Sequence, residues 1–416
     1  MSKKAVPRVE LVVVGDELLA GRIADTNSMF VSGRLAVLGL TPSRVVQVGD
    51  DGAAIQREVG LAASRSELVL VMGGLGPTPD DRTLEAVAGL VGRDLVERRS
   101  LLRKVEARFC GRGMKMPKLA RRQALVPTGA KLFSNPVGMV PGMALEFQSS
   151  LIVMLPGVPT ELRAIVEGGL EEFLRERFRL RPAATARIRT FGLPEATIAS
   201  RARRLLNEHP AVAPAFYPST SGVDVVLQSR SRTGLRPVRD SLVRMLGDAV
   251  YEVGDWGMEQ VLGELLSGRR LVAATAESCT GGRIGDRLTS VPGSSEYFAG
   301  GVVVYSNQVK ANLLGVRLET LKRHGAVSAQ TVREMSRNVR RLFGCDVGIA
   351  VSGIAGPGGA TRDKPVGLVY VAVTTAGKVR TRRHLFSGSR TMVKERAAMA
   401  AMDLCRLVLL SKERGR

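Results

Sequence analysis

One unit recurs along the chain and constrains the fold most: an apolar segment, then a glycine-rich turn, then a segment with helical spacing. In the first half it begins at residues 9–15, 68–74 and 151–155. In the second half apolar segments at 271–276 and 347–352 each end in a turn of Gly, Ser or Thr. Apolar runs of this length that alternate with helices are typical of buried strands in parallel sheets. The sequence therefore predicts an α/β fold in both halves.

The chain is long enough for more than one domain. Its 416 residues exceed what one hydrophobic core usually serves, so two or three domains are expected. Between about residues 180 and 254 the pattern changes to short strands and basic helices, which indicates a small α+β insert. We predict an α/β domain at 1–175, a small α+β linker domain at 176–254 and a second α/β domain at 255–416.

Cysteine and histidine usage excludes several classes of site. The four cysteines and three histidines are scattered, with no C-x-x-C pair and no H-E-x-x-H helix. This argues against a zinc ribbon, a disulfide framework and a metalloprotease site. The first residues lack the apolar core of a secretory signal, and no apolar run is long enough to span a membrane. We expect a cytoplasmic protein that has reduced thiols and no membrane partner.

The net charge of +22 attracts polyanions and makes nucleic acid a possible partner. The densest basic stretch, residues 93–122, contains only Phe109 as an aromatic for base stacking. The middle segment has no internal G-x-x-G, so an RNA-binding KH domain is not favoured. A solvated arginine-rich helical surface is therefore the favoured explanation of the charge.

The turn after residues 68–72 contains Gly74 and Gly76 and leads into a helix. Free backbone N–H groups at such a turn can hold phosphate. The turn lacks the Gly-Lys-Ser/Thr ending of a Walker A loop and does not fit G-x-G-x-x-G. A purely structural turn is the alternative.

Three carboxylates follow the first strands: Glu17, Asp80 and Asp81. Ligand sites in open α/β sheets lie at the carboxyl ends of strands, so the three side chains could converge. Carboxylates beside a phosphate cradle can hold a divalent metal ion. Simple helix capping by one of the two aspartates is the alternative.

Residues 276–282, Ala-Glu-Ser-Cys-Thr-Gly-Gly, place two possible nucleophiles, Ser278 and Cys279, at a strand-to-helix turn. The N–H groups after such a turn can stabilise an oxyanion, and a helix N-terminus favours a thiolate. Helix capping by the hydroxyl is the alternative. No histidine motif lies nearby, so the candidates to activate the nucleophile are Lys310, as a base of lowered pKa, and Tyr305.

The first half contains four long motifs: Gly-Asp-Glu-Leu-Leu-Ala-Gly-Arg-Ile-Ala-Asp-Thr-Asn at 15–27, Gly-Gly-Leu-Gly-Pro-Thr-Pro-Asp-Asp-Arg-Thr at 73–83, Asn-Pro-Val-Gly-Met-Val-Pro-Gly at 135–142 and Leu-Pro-Gly-Val-Pro-Thr-Glu at 155–161. In this order they resemble the N-terminal, molybdopterin-binding-like domain of the CinA family (competence/damage-inducible protein A). The resemblance implies a MoaB/MogA-like three-layer α/β fold and metal-dependent hydrolysis of ADP-ribose to AMP and ribose 5-phosphate. It implies a metal or phosphate role for Asp81 and a substrate-binding role for Asn135.

The second half resembles the CinA C-terminal domain, also called nicotinamide mononucleotide deamidase, through residues 276–282, Tyr-Ser-Asn-Gln-Val-Lys at 305–310 and Ser-Gly-Ile-Ala-Gly-Pro-Gly-Gly at 352–359. The resemblance implies deamidation of nicotinamide mononucleotide to nicotinate mononucleotide and ammonia, without a cofactor, in a homodimer. It implies that Ser278 is the nucleophile and that Lys310 and Tyr305 activate it. The implied nucleotide-binding residues are Thr280, Gly281, Gly353, Gly356 and Gly358.

Arg390, in the motif Phe-Ser-Gly-Ser-Arg at 386–390, is assigned to the substrate phosphate, because a guanidinium pairs with phosphate through two hydrogen bonds.

Two functions of the whole chain remain open. The first is a bifunctional hydrolase that acts on nicotinamide mononucleotide and ADP-ribose. The second is a competence or DNA-damage accessory that binds nucleic acid or a recombinase and retains both sites only as vestiges.

Overall fold

The computed structural model describes residues 6–111, 113–180, 184–229 and 231–411. The chain divides into two compact units, Met1–Ala184 and Thr185–Arg416. None of the helices in the described ranges combines the length and hydropathy that a membrane span requires.

Unit 1 is built on a six-stranded sheet of order β2-β1-β3-β8-β7-β6, with a separate two-stranded pair, β4-β5. Its strands are β1 (Val9–Val14), β2 (Pro42–Val48), β3 (Leu68–Met72), β4 (Leu95–Glu97), β5 (Leu125–Pro127), β6 (Lys131–Phe133), β7 (Gly142–Phe147) and β8 (Ser150–Leu155). Its helices are α1 (Asp16–Leu19), α2 (Thr26–Val37), α3 (Gly52–Arg65), α4 (Thr83–Val91), α5 (Arg99–Cys110), α6 (Pro159–Ile165) and α7 (Glu171–Arg177).

The central strands of this sheet are parallel and fully buried. β1 pairs in parallel with β2 and β3, and β3 pairs in parallel with β8, whereas β7 and β6 continue the sheet in antiparallel fashion. Alternate residues of β1 enter two different cores: Leu11 packs with α2 and α6, and Val12 packs with α3 and α4. Helices thus cover both faces, which confirms the predicted α/β class and gives three layers.

The first part of unit 2 has a four-stranded sheet of order β10-β11-β9-β12. Its elements are β9 (Ala184–Thr190), α8 (Glu195–Glu208), β10 (Val212–Ser219), β11 (Gly222–Ser229), α9 (Arg232–Leu246) and β12 (Val250–Val253). This mixture matches the small α+β segment expected in the middle of the chain. The domain limits at 175/176 and 254/255 stay predictions.

The rest of unit 2 has a five-stranded sheet of order β14-β13-β15-β16-β17. Its strands are β13 (Ala273–Glu277), β14 (Phe298–Val303), β15 (Val347–Gly353), β16 (Leu368–Thr375) and β17 (Lys378–Leu385). Its helices are α10 (Met258–Ser267), α11 (Arg283–Thr289), α12 (Asn307–Asn312), α13 (Leu318–His324), α14 (Ala329–Leu342) and α15 (Arg390–Ser411). β13 pairs in parallel with β14 and β15, and β16 and β17 follow in antiparallel fashion.

Candidate active site

Three loops of the five-stranded sheet meet at one edge. Because β14, β13 and β15 are parallel neighbours, their carboxyl ends lie side by side. The loop after β13 carries Ser278, the loop after β14 carries Tyr305, and β15 ends at Gly353. This edge is where open α/β sheets place their ligand sites.

Glu277 fixes the turn after β13. Its side chain is 1% exposed, and its carboxylate accepts hydrogen bonds from the N–H groups of Gly282 (3.0 Å), Ile284 (3.1 Å) and Gly285 (2.9 Å). A carboxylate thus satisfies the free amides at the start of α11. Glu277, and not Ser278, therefore caps the start of α11, so the capping role that the sequence offered for Ser278 is filled by its neighbour. Sequence reasoning missed Glu277, and its signal was an acidic residue directly before a turn and helix.

Ser278 and Lys310 lie in hydrogen-bond contact. The Nζ of Lys310 is 3.1 Å from the Oγ of Ser278, and it donates to the carbonyl oxygens of Val304 and Tyr305, each at 2.8 Å. Lys310 is 1% exposed. Burial away from water lowers the pKa of Lys310 to about 8.

The contacts of Lys310 fit an uncharged amine. A neutral amine has two N–H groups and one lone pair. The carbonyls of Val304 and Tyr305 can take the two N–H groups, which leaves the lone pair facing the hydroxyl of Ser278. In that protonation state the serine hydroxyl donates to the lysine nitrogen, which is the arrangement that general-base activation requires.

Cys279 is the rival nucleophile, and its surroundings favour the thiol. The side chain is 5% exposed and packs in the apolar core of the domain. Burial raises the pKa of the Cys279 thiol to about 12. At neutral pH the thiolate is therefore almost absent, and nucleophilic attack by sulfur is disfavoured.

Tyr305 contacts Lys310 through its main chain and Arg390 through its side chain. Its main-chain carbonyl holds Lys310, as described above, whereas its side chain is 62% exposed. The phenol oxygen accepts a hydrogen bond from Arg390 at 3.1 Å. In the described part of the chain the phenol has no hydrogen bond with Ser278 or Lys310. The predicted proton relay through Tyr305 stays a prediction.

The remaining predicted residues of this half surround the same edge. Arg390 begins α15 and also donates to the carbonyl of Gly356 at 2.6 Å, which ties the glycine turn after β15 to the helix. Gly356 has a φ of 82° and Gly281 a φ of 65°, a region that favours glycine. Gly358 has open space around its Cα. The hydroxyl of Thr280 is buried and has no hydrogen-bond partner among the described residues.

In unit 1 the glycine turn after β3 is tightly packed. A side chain at Gly74 would collide with the hydroxyl of Thr83, and a Cβ at Gly76 would lie 2.5 Å from a carboxylate oxygen of Asp81. Asp81 accepts hydrogen bonds from the N–H of Thr78 (2.8 Å) and from the hydroxyl of the same residue. Asp81 thus closes its own loop, while Asp80 is exposed.

The three predicted metal ligands do not form a set. In the described ranges no three Asp, Glu, His or Cys side chains are arranged to hold a metal ion. Asp80 and Glu17 do lie close enough to Asp50 to act on its ionisation. Burial first, and then the charges of Asp16, Glu17 and Asp80, raise the pKa of Asp50, although its hydrogen bond with the N–H of Asp16 opposes the shift.

Asn135 organises its loop. Its side-chain amide donates to the carbonyl of Val140 (2.8 Å) and to Glu161 (2.6 Å). Its oxygen accepts from the N–H groups of Val137 (3.2 Å) and Gly138 (2.8 Å). These bonds use both donors and both acceptor positions of the amide. The predicted contact of Asn135 with substrate stays a prediction.

Two family models match the chain. The model described as "Probable molybdopterin binding domain" matches residues 10–176, and the model described as "CinA C-terminal domain" matches residues 256–409. A protein named "CinA-like protein" from Thermosynechococcus vestitus is 38% identical over 411 residues, covering 96% of this chain and 99% of that one. Another "CinA-like protein", from Gemmatimonas aurantiaca, is 40% identical and covers 96% and 95%.

Solved structures match parts of the chain. The competence or damage-inducible protein from Enterobacter asburiae is 38% identical and covers 36% of this chain and 96% of its own, with a TM-score of 0.36. The molybdopterin biosynthesis enzyme MoaB from a Thermus species is 26% identical and covers 41% and 94%, with a TM-score of 0.29. From the two family models and the full-length relatives, the chain belongs to the CinA family, with a molybdopterin-binding-like domain and a CinA C-terminal domain.

Proposed function

We propose that the C-terminal domain is an amidohydrolase that converts nicotinamide mononucleotide to nicotinate mononucleotide and ammonia. The observation that carries the proposal is the 3.1 Å separation between the Oγ of Ser278 and the Nζ of a buried Lys310. A serine next to an uncharged lysine is a nucleophile with its base, and acyl transfer is the chemistry that such a pair performs.

The proposed reaction has two halves. The Oγ of Ser278 attacks the carboxamide carbon while Lys310 takes the hydroxyl proton. The protonated lysine then gives that proton to the leaving nitrogen, and the C–N bond breaks to release ammonia and leave an ester on Ser278. Water attacks the ester with Lys310 again as base, which gives the carboxylate and restores the serine hydroxyl. No metal ion takes part in any of these steps.

Main-chain groups support stabilisation of the oxyanion. Among the described residues the N–H group of Thr280 donates no hydrogen bond, and the N–H group of Cys279 meets only the sulfur of its own side chain. Main-chain donors directly after the nucleophile suit the negative oxygen of a tetrahedral intermediate. The turn that presents them is held by Glu277.

Ammonia release tests the proposal. Purified protein with nicotinamide mononucleotide and a chelator should release ammonia at a steady rate, and Ser278→Ala should abolish the release. Cys279→Ser is the matched control, since it changes the neighbouring side chain by one atom and should keep the activity. Loss of activity in Cys279→Ser together with full activity in Ser278→Ala would overturn the assignment of the nucleophile.

We further propose that the N-terminal domain hydrolyses ADP-ribose to AMP and ribose 5-phosphate with a divalent metal ion. The glycine turn after β3 and the carboxylates of Glu17, Asp80 and Asp81 at one sheet edge support this assignment. The described side chains do not form a metal site by themselves, so diphosphate oxygens of the substrate would have to complete it, as they commonly do for Mg²⁺. ADP-ribose hydrolysis that is unaffected by chelator would exclude this role for the metal.

The competence-accessory alternative has one observation in its favour, the net charge of +22. In the densest basic helix, α5, Lys104 and Arg108 donate to the carbonyls of Asn135 and Val137, so part of this charge holds a loop. Salt-sensitive DNA binding without any turnover of either nucleotide would favour the alternative.

We propose a homodimer as the working state, which sedimentation of the purified chain would test.

A further inference from the structure

β17 (Lys378–Leu385) is an open edge of the five-stranded sheet. A tight turn joins it to β16, so its residues alternate between those that bond to β16 and those whose main-chain groups face away. The bond from the N–H of Phe386 to the carbonyl of Gly367 fixes this alternation. The outward-facing residues are Val379, Thr381, Arg383 and Leu385. No residue in the described ranges hydrogen-bonds to their main-chain N–H or C=O groups, so the edge can accept a further strand.

The side chains of β17 are strongly basic. Its four exposed cations are Lys378, Arg380, Arg382 and Arg383. Arg382 lies 3.9 Å from Asp403 of α15, which Arg406 holds more closely at 2.7 Å. The other three cations have no ion pair within the part of the chain that the structure describes. Two copies of such a strand would bring like charges together, so self-pairing is disfavoured and an acidic partner is favoured.

A cavity of about 310 Å³ lies between β17 and the last turns of α15. Arg380 and Arg382 line it from the strand, and Asp248 is the acidic residue that lines it. The helix contributes aliphatic side chains to the lining: Leu404, Leu407, Val408 and Leu410. Apolar side chains of a ligand can therefore be buried beside the strand, where the stems of the arginines cover them.

These features distinguish a peptide from a nucleic acid. Single-stranded nucleic acid binds through aromatic side chains on which its bases stack, and neither β17 nor the lining of the cavity contains Phe, Tyr or Trp. An extended peptide uses the open main-chain groups, the cations and the cavity at the same time.

We propose that β17 is a docking edge for an extended acidic segment of another protein. The segment adds a strand to the sheet, pairs its carboxylates with the cations of β17 and inserts alternate apolar side chains into the cavity beside α15. This partner-binding function goes beyond the proposed hydrolysis reactions and does not depend on them.

A synthetic peptide tests the docking edge. The probe has the length of β17, alternates leucine and glutamate, is blocked at both ends and carries a fluorescent label. Its anisotropy, titrated with the full-length chain, should show saturable binding of one peptide per chain that weakens as salt is added. A peptide with lysine in place of each glutamate should not bind. Absence of binding by the glutamate peptide, or equal binding by the lysine peptide, would overturn the proposal.

N-methylated peptides test main-chain pairing on the unchanged protein. Adjacent residues of a strand direct their N–H groups to opposite edges, so methylation of either the leucines or the glutamates blocks one edge of the peptide. One of these two peptides should lose binding while the other retains it. Equal effects of the two methylations would overturn strand addition.

Thr381 provides the matching change in the protein. Thr381→Pro removes an outward N–H group without removing a bond to β16 and should weaken peptide binding about fivefold or more. Thr381→Val keeps the N–H group, loses only the hydroxyl that accepts from Arg333, and should bind normally. Urea denaturation verifies that both variants fold. Equal binding by the two folded variants would contradict the proposed pairing.

Paired charge variants test the acidic character of the partner. Arg380→Ala with Arg383→Ala should weaken peptide binding about 2- to 30-fold. Arg201→Ala with Arg203→Ala removes the same charge from the exposed side of α8 and should leave binding unchanged. An equal loss in both pairs would show a general field effect and overturn the specific contact.

Two further outcomes would reassign the edge. Salt-sensitive binding of single-stranded DNA that depends on Arg380 and Arg383, without binding of the peptide, would assign it to nucleic acid. Self-association of the chain that Thr381→Pro abolishes, seen by sedimentation, would assign it to a second copy. Either result would overturn the acidic-segment proposal.

Discussion

Raising the pH from 6 to 9 should activate deamidation through the ionisation of Lys310. Burial shifts the pKa of this lysine from 10.5 to about 8. At pH 7 about one molecule in ten then has the uncharged amine, compared with about one in three thousand for an unshifted lysine. The shift therefore makes the base ~300-fold more available at neutral pH.

The direction of the pH effect follows from the role of the amine. Only the uncharged form can accept the proton of Ser278, so kcat/KM should rise about tenfold per pH unit below pH 8 and level off above it.

The lowered pKa of Lys310 also affects the stability of the fold. Between about pH 8 and 10.5 the unfolded state binds the proton that the folded state has lost, so the free energy of unfolding should rise across this window.

Initial rates of ammonia release at subsaturating nicotinamide mononucleotide provide the assay. Lys310→Arg is the informative control, because a guanidinium remains protonated throughout and cannot act as the base. The variant should be inactive at every pH. A kcat/KM that is flat between pH 6 and 9, or that falls as the pH rises through 8, would refute the assignment of Lys310 as the base.

Three other changes give distinct outcomes. Cys279→Ser should retain deamidation, because the buried thiol is not the nucleophile; loss of ammonia release would contradict this. Glu277→Ala should lower the free energy of unfolding by about 2 kcal/mol in urea denaturation, since it leaves three main-chain N–H groups without acceptors, whereas exposed Glu296→Ala should have little effect. Asp81→Ala should abolish ADP-ribose hydrolysis while ammonia release continues; loss of both activities would indicate unfolding.

The sequence was sufficient to predict the α/β class and the loops that build the site. Fully apolar segments followed by glycine turns are typical of buried parallel strands, and parallel strands bring their carboxyl ends together. The absence of a nearby histidine motif predicts the amine of Lys310 or the phenol of Tyr305 as the partner of the Ser278 hydroxyl. The structure brings the hydroxyl of Ser278 and the amine of Lys310 within hydrogen-bond distance, although 32 residues separate them along the chain.

Other features depend on three-dimensional packing and were not predictable from local pattern. The carboxylate of Glu277 caps a helix that begins six residues later, and only the folded turn shows that it, rather than Ser278, meets the free amides. The sequence predicts a role for the phenol of Tyr305, whereas in the structure the main-chain carbonyl of this residue holds Lys310. A sequence motif specifies side chains, and it does not show which main-chain atom is used.

The hydrogen-bond partners of polar residues in the N-terminal domain were likewise not predictable from the sequence. Asn135 and Asp81 are polar residues in long motifs, which suggested ligand contacts. In the structure Asp81 hydrogen-bonds within its own loop, and Asn135 hydrogen-bonds within its loop and to Glu161 of α6, because polar groups enclosed by the folded chain need partners. The sequence does not distinguish an Asn or Asp that shapes a loop from one that contacts a ligand.

The central claim, that the oxygen of Ser278 becomes acylated with Lys310 as its base, is tested most directly by mass spectrometry of enzyme quenched in acid during turnover of nicotinamide mononucleotide. We predict an ester on the peptide that contains Ser278, with the mass of the substrate less ammonia. Lys310→Arg should show no such ester. An adduct on Cys279, or rapid ammonia release by Ser278→Ala, would contradict the account.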